Sequence, residues 1–178
     1  MADREKKKKR AYLDDFEKDL NGNYQYRGAH YRYAGTMPRG RVLARLWLCC
    51  GGGAALTVAA GALPGATARA PIYLLLPYMA ALVAALYAVV LLVRFTRGGE
   101  KLRAYIHEQT AQKLPGLCRA AAVLCGAAAA GQGIAVCLNG VQLLLGAQGV
   151  FILFEILSCV GFAAAARLLR RIPWEKEE

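Results

Sequence analysis

The stretch Ile72 to Val93, IYLLLPYMAALVAALYAVVLLV, runs for twenty-two residues without a charged side chain and is closed by Arg94. At about 1.5 Å per residue, a helix of that length covers about 33 Å, enough to cross the ~30 Å hydrocarbon layer of a bilayer. Three further stretches have the same character: Leu46 to Leu63, Ala120 to Leu138 and Ala147 to Ala166, the last interrupted only by Glu155. The sequence therefore predicts an all-α membrane protein with four transmembrane helices, at 46–63, 72–93, 120–138 and 147–166.

The charges lie between these stretches, and they are not shared evenly. Of 23 Lys and Arg, 12 precede the first stretch, 6 lie from Arg94 to Arg119 inclusive, 4 lie from Arg167 onward, and only Arg69 sits in the remaining connections. Lys and Arg resist translocation, so this bias assigns three cytoplasmic segments: a tail over 1–45, a loop over 94–119 and an end over 167–178. Both termini are then inside, and the localisation expected is a cell membrane crossed four times. The net charge of +11 belongs to this topology. In a soluble domain it would suggest nucleic acid, but six acidic residues are mixed into the tail, so no nucleic-acid partner is expected. The run Lys6 to Arg10 suits anionic lipid headgroups at the inner leaflet.

The connections make two antiparallel hairpins. Pro64 to Pro71 is a short proline-bounded turn, which predicts tight pairing of the first two helices, and Asn139 to Gln148 closes the second pair. Placing Ile72 over Val150 matches apolar or aromatic residues at seven of eight positions and sets Glu155 against Pro77. The hairpins read either as a tandem repeat about an axis along the membrane normal or as a chance likeness of apolar spans. Small residues crowd the first and third helices, from Gly51 to Ala55 and from Gly126 to Gly133, which predicts close helix packing there.

In the tail, Tyr12, Leu13, Phe16 and Leu20 recur at helical spacing before Asn21-Gly22, so a short amphipathic helix is expected. Strict alternation follows from Tyr24 to Tyr33. A loop at Gly28-Ala29 would pair Tyr26 with Tyr31 and Tyr24 with Tyr33, giving a β-hairpin with four tyrosines on one face as a docking surface. In the middle loop, Leu102, Ile106 and Leu114 suggest a short interfacial helix.

The pattern Tyr12-Leu13-Asp14-Asp15-Phe16, then Gly22, Tyr24, Tyr26, Gly28 and Tyr31, resembles the N-terminal tail of small bacterial integral membrane proteins. Beyond the tail the likeness extends only to the four-span layout. It implies a bacterial cytoplasmic membrane and carries over no functional residue.

Chemistry has few footholds. No CxxC pair or Cys/His spacing suits a metal, no nucleophile stands at a known spacing from His30 or His107, and no cofactor motif is present, so no catalytic, cofactor or metal site is expected. Both histidines read as surface residues. Glu155 is the one charged residue within the apolar stretches, and an intramembrane carboxylate marks either function or a buried partner. Counting along the helix puts it about 8 to 12 Å from the outer end, where Asn139, Gln142 or Gln132 of the third helix could bond to it. Two functions fit this inventory. The first is a non-enzymatic accessory, scaffolding or regulatory subunit that meets a membrane-protein partner, or a second copy of itself, through its tail; the second is a small transporter or pump using Glu155. A membrane enzyme fits less well, because such enzymes cluster several polar residues at the interface.

Overall fold

The computed structural model describes residues 16–18, 24–26, 30–64, 71–99, 101–103, 107, 108, 110–140 and 144–177. Four helices long and apolar enough to cross a membrane dominate it: α1 (Arg39–Ala62), α2 (Ile72–Arg97), α3 (Leu114–Asn139) and α4 (Ala147–Arg170). Each extends past the apolar run that announces it. Hydropathy marks only the part of a helix that sits in hydrocarbon, whereas the backbone keeps its ladder until a breaker stops it. Those breakers are visible. Pro38 precedes α1, Leu63-Pro64 ends it, Pro71 starts α2, Gly98 and Gly99 (φ +72°) end it, Pro115 lies in the first turn of α3, and Gly140 (φ +117°) ends α3. Arg94 and Arg97 close α2 and Arg167 and Arg170 close α4, where positive charge suits the helix dipole.

The helices pack chiefly as α3 on α4, α2 on α3 and α1 on α4. The pair joined by the proline-bounded turn, α1 with α2, meets less than these three, a looser pairing than its short connection leads one to expect. Side-chain bulk explains the difference. On α4, Gly161 lets the α1 backbone approach so closely that a Cβ there would lie 2.7 Å from the Cys49 carbonyl oxygen, while Gly53 of α1 meets Phe162 and the Ser158 carbonyl. A shared small-residue seam thus joins α1 to α4. Gly131 of α3 plays the same part against Tyr73 and Leu74 of α2. The outward faces carry Leu48, Ile72, Leu76, Val83, Val123 and Leu138, apolar surface that suits lipid.

Buried positions on α2 and α4 coincide when Leu74 is set over Phe151, Tyr78 over Glu155, Ala81 over Ser158 and Ala85 over Phe162. This register differs by one residue from the one read in the sequence, so Glu155 corresponds to Tyr78 and not to Pro77. Apolar runs match at several offsets, and only burial selects among them.

At one end of the bundle, three distant segments share a sheet. Strand β3 (His30–Tyr33) lies between β4 (Lys101–Arg103) and β5 (Trp174–Glu177), antiparallel to both, with Tyr31 opposite Leu102 and Lys176, and Tyr33 opposite Trp174. A separate pair joins β1 (Phe16–Lys18) to β2 (Tyr24–Tyr26), with Phe16 opposite Tyr26. The tyrosine hairpin is therefore not formed: Tyr24 and Tyr26 belong to one sheet, Tyr31 and Tyr33 to another. An isolated two-stranded hairpin is marginal, while β3 gains a ladder on each side and packs Tyr31 and Tyr33 on the bundle core. Phe16–Lys18 is strand where an amphipathic helix was expected, and Lys101–Arg103 is strand where an interfacial helix was expected; over so few residues the two periods are hard to separate. Tyr12, Leu13, Leu20, Gly28, Ala29, Ile106, the run Lys6 to Arg10 and most of the turn before Pro71 lie outside the described residues.

Gly161→Val should force α1 away from α4 and lower stability by about 1–3 kcal/mol, whereas Gly133→Val, on a position with nothing within 4 Å of its would-be Cβ, should leave it nearly unchanged. Thermal unfolding of the purified variants in one detergent measures both.

Candidate functional site: a polar layer inside the bundle

The buried apolar residues fall into two clusters. The larger runs from the sheet end to Ala54, Ala81, Cys125 and Phe162; the smaller, at the opposite end, holds Ala60, Leu74, Tyr78, Ala128 and Phe151. Between them the helices turn Thr57, Glu155 and Ser158 inward, all fully buried. On α4 this follows from spacing, because Phe151, Glu155, Ser158 and Phe162 recur every three or four residues along the face turned to its neighbours.

Every hydroxyl in the layer donates to backbone. Thr57 Oγ1 and Ser158 Oγ both donate to the Gly53 carbonyl, at 3.2 and 2.9 Å, and Tyr78 OH donates to the Thr57 carbonyl at 3.1 Å. The Cys125 thiol lies 3.7 Å from Thr57 Oγ1. All four helices therefore meet here through polar groups. Glu155 is 0% exposed and sits beside Tyr78 and the Cys125 thiol, a weak donor; no N–H or O–H group donates to either carboxylate oxygen.

The expected partners of Glu155 are differently placed. Asn139 is exposed and donates to the Ala135 carbonyl of its own helix at 2.7 Å. Gln132 is buried, 3% exposed, with Oε1 unpartnered. Gln142 lies outside the described residues. Tyr78, Cys125, Thr57 and Ser158 were not singled out in the sequence, since small polar or aromatic residues in apolar runs read as filler. The signal that was available is their common depth, visible only once the helix pairing is known.

No family model, curated protein or solved structure matches the chain. The chemistry of the site has to be read from its own geometry.

A second constellation closes the sheet end. His107, expected on the surface, is only 7% exposed. Its ring stacks on Tyr31 (centroids 4.2 Å apart, planes 10° apart) and meets the Trp174 ring edge-on at 5.1 Å. Trp174 in turn packs edge-on against Phe95 of α2 and Tyr33. One aromatic cluster thus fastens the tail, the middle loop and the C-terminal strand to the bundle. Burial pushes the His107 imidazole below its ordinary value of 6.5, and the neighbouring Glu108 carboxylate opposes that in part. Above 6.5 the ring is neutral whether the cluster is closed or open, and its packing contribution is complete. As the pH falls below 6.5 the opened form takes up the proton first, so stability is lost on the acid side.

Hydrogen exchange of the β3 amides should therefore quicken when the pH falls from about 7 to about 5.5, after correction for the intrinsic exchange rate, and His107→Phe should remove most of that dependence. An equal response in both proteins would rule out His107 as its source.

Proposed function

We propose that the chain is a non-enzymatic membrane subunit, crossing a cell membrane as two antiparallel hairpins with both termini and the middle loop in the cytoplasm. It acts as an accessory, scaffolding or regulatory component through that cytoplasmic face. The observation that carries the reading is the three-stranded sheet. The three segments that charge assigns to the cytoplasm are the same three that supply β3, β4 and β5. Built from all three and fastened by Trp174 and His107, the sheet gives a partner a shaped surface rather than a loose arm. Strands β4 and β5 are its outer strands, and an outer strand offers backbone groups to an added strand.

A second reading is a small transporter that uses Glu155. The specific observation in its favour is the fully buried carboxylate, with no N–H or O–H donor on either oxygen, within a layer to which all four helices contribute. Intramembrane carboxylates lie on ion pathways and proton relays.

Two experiments test these readings. Cysteine labelling in intact cells should protect positions near Arg10, Glu108 and Glu178 and expose Thr67; labelling at Glu108 from outside would overturn the layout. In a strain lacking the protein, Trp174→Ala should fail to restore the deletion phenotype while inserting normally, and Glu155→Gln should restore it. The reverse pattern moves the function into the bundle.

A further inference from the structure

With Leu46 of α1 set over Leu114 of α3, Thr57 falls over Cys125 and Ala60 over Ala128, each buried in its own helix. Buried positions on α2 and α4 coincide in the same manner, so the burial pattern of the first two helices returns in the second two. In this register Cys50 falls over Cys118. The two thiols share a hydrogen bond across the bundle and are 1% and 0% exposed. One heptad further along both helices, Thr57 Oγ1 lies 3.7 Å from Cys125 Sγ, a second contact that shows how closely α1 and α3 face each other here. Thr57 stands where another thiol would be. Among the described residues of α1 and α3, the register therefore sets one pair of cysteines face to face.

The pair is placed where a change in it is felt. Cys118 immediately precedes Arg119 at the start of an apolar run, and Cys50 lies four residues past Leu46, about 6 Å along α1. Both are thus close to the sheet end, in the core cluster on which Tyr31, Tyr33 and Trp174 pack. Cys50 also belongs to the π-helical segment Trp47–Gly51, whose irregular backbone gives α1 room to adjust.

We propose that Cys50 and Cys118 are oxidised to a disulfide by hydrogen peroxide, and that the bond holds the sheet end of the bundle closed. The Cys50 sulfur attacks one peroxide oxygen, the O–O bond breaks, and the departing hydroxide takes the thiol proton to become water, leaving a sulfenic acid. The Cys118 sulfur then attacks the Cys50 sulfur and displaces a second hydroxide, which takes the Cys118 proton. Two thiols are oxidised, and one peroxide is reduced to two waters. Reactants and product are all neutral, which suits an apolar interior, whereas two thiolates around one soft monovalent metal ion would bury a net charge. A covalent bond between the sulfurs is shorter than any hydrogen bond, so α1 and α3 are drawn together, and the π-helical segment is where α1 yields. Strand β3 precedes α1 and β4 precedes α3, so fixing these helices to each other restrains two paired strands. The bond itself is independent of the function proposed above, and only its effect on a partner rests on the sheet-based reading.

The test uses purified, reduced, full-length protein in lipid nanodiscs, with the dose of hydrogen peroxide raised until the exposed Cys137 is oxidised. Remaining thiols are blocked with N-ethylmaleimide in denaturant, and the protein is digested with trypsin without reductant. Mass spectrometry should find the peptide 46–69 joined to the peptide 114–119. The link should persist in Cys49→Ala and vanish in both Cys50→Ala and Cys118→Ala. Hydrogen exchange of the β3 amides should be several-fold slower in oxidised wild-type protein than in reduced. Oxidation of Cys137 without the link, or a link that requires Cys49, overturns the pair; a link that leaves β3 exchange unchanged overturns its hold on the sheet. None of these measurements involves a partner, so their failure leaves the docking reading to its own test through Trp174→Ala.

Discussion

Gly161 offers no side chain to the carbonyl of Cys49, and the arrangement of the other helices depends on the contact this permits. In hydrocarbon there is little hydrophobic drive between helices, so α1 and α4 are held by fit, and fit requires the two backbones to come close. Their approach brings the Gly53 carbonyl within reach of Ser158 and turns Thr57 toward Cys125. It also leaves α2 to lean more on α3 than on its own chain neighbour α1. A Cβ at position 161 would disturb the polar layer as well as the seam, since both are built on the same stretch of α1.

The two constellations divide the molecule's chemistry by depth. At the sheet end, rings stack and cross, and the one buried histidine is held by aromatic neighbours with no hydrogen bond to either nitrogen. Toward the other end, oxygens are collected around a carboxylate with a thiol beside it. Further ties join α1 to α2 near the sheet: Trp47 Nε1 donates to Thr96 Oγ1 at 3.2 Å, and Arg39 Nη2 donates to the Phe95 carbonyl at 3.4 Å. Trp47 opens a single π-helical segment, Trp47–Gly51, a local irregularity that rotates the rest of α1 relative to its first turns.

Much of this architecture was legible in the residues, because helix length and the placing of Lys and Arg are local or additive signals. Ile72 to Val93 read as a membrane-spanning helix, and Pro64 and Pro71 marked where the first helix ends and the second begins. Strand pairing was not legible. The alternation from Tyr24 to Tyr33 correctly signals strand but carries no information about partners, and β3 found its partners at Lys101 and Trp174, far away in sequence. Glu155 stood out as a charge in an apolar run, whereas Tyr78, Cys125 and Ser158 acquired meaning only when four helices brought them to one height. His107 looked like a surface residue because nothing near it in sequence announces the ring of Trp174.

The sheet also has a consequence for timing. Strand β3 is made before the four helices, and β5, which pairs with it from Tyr33 opposite Trp174 to His30 opposite Glu177, is made after them. One edge of β3 therefore stays open while the four helices are made and α4 docks on α1. Contacts so distant in sequence close slowly. The ladder between β3 and β5 can form only once all four helices have been made, and a chain stalled short of α4 would still display an open strand edge to the cell's quality-control machinery.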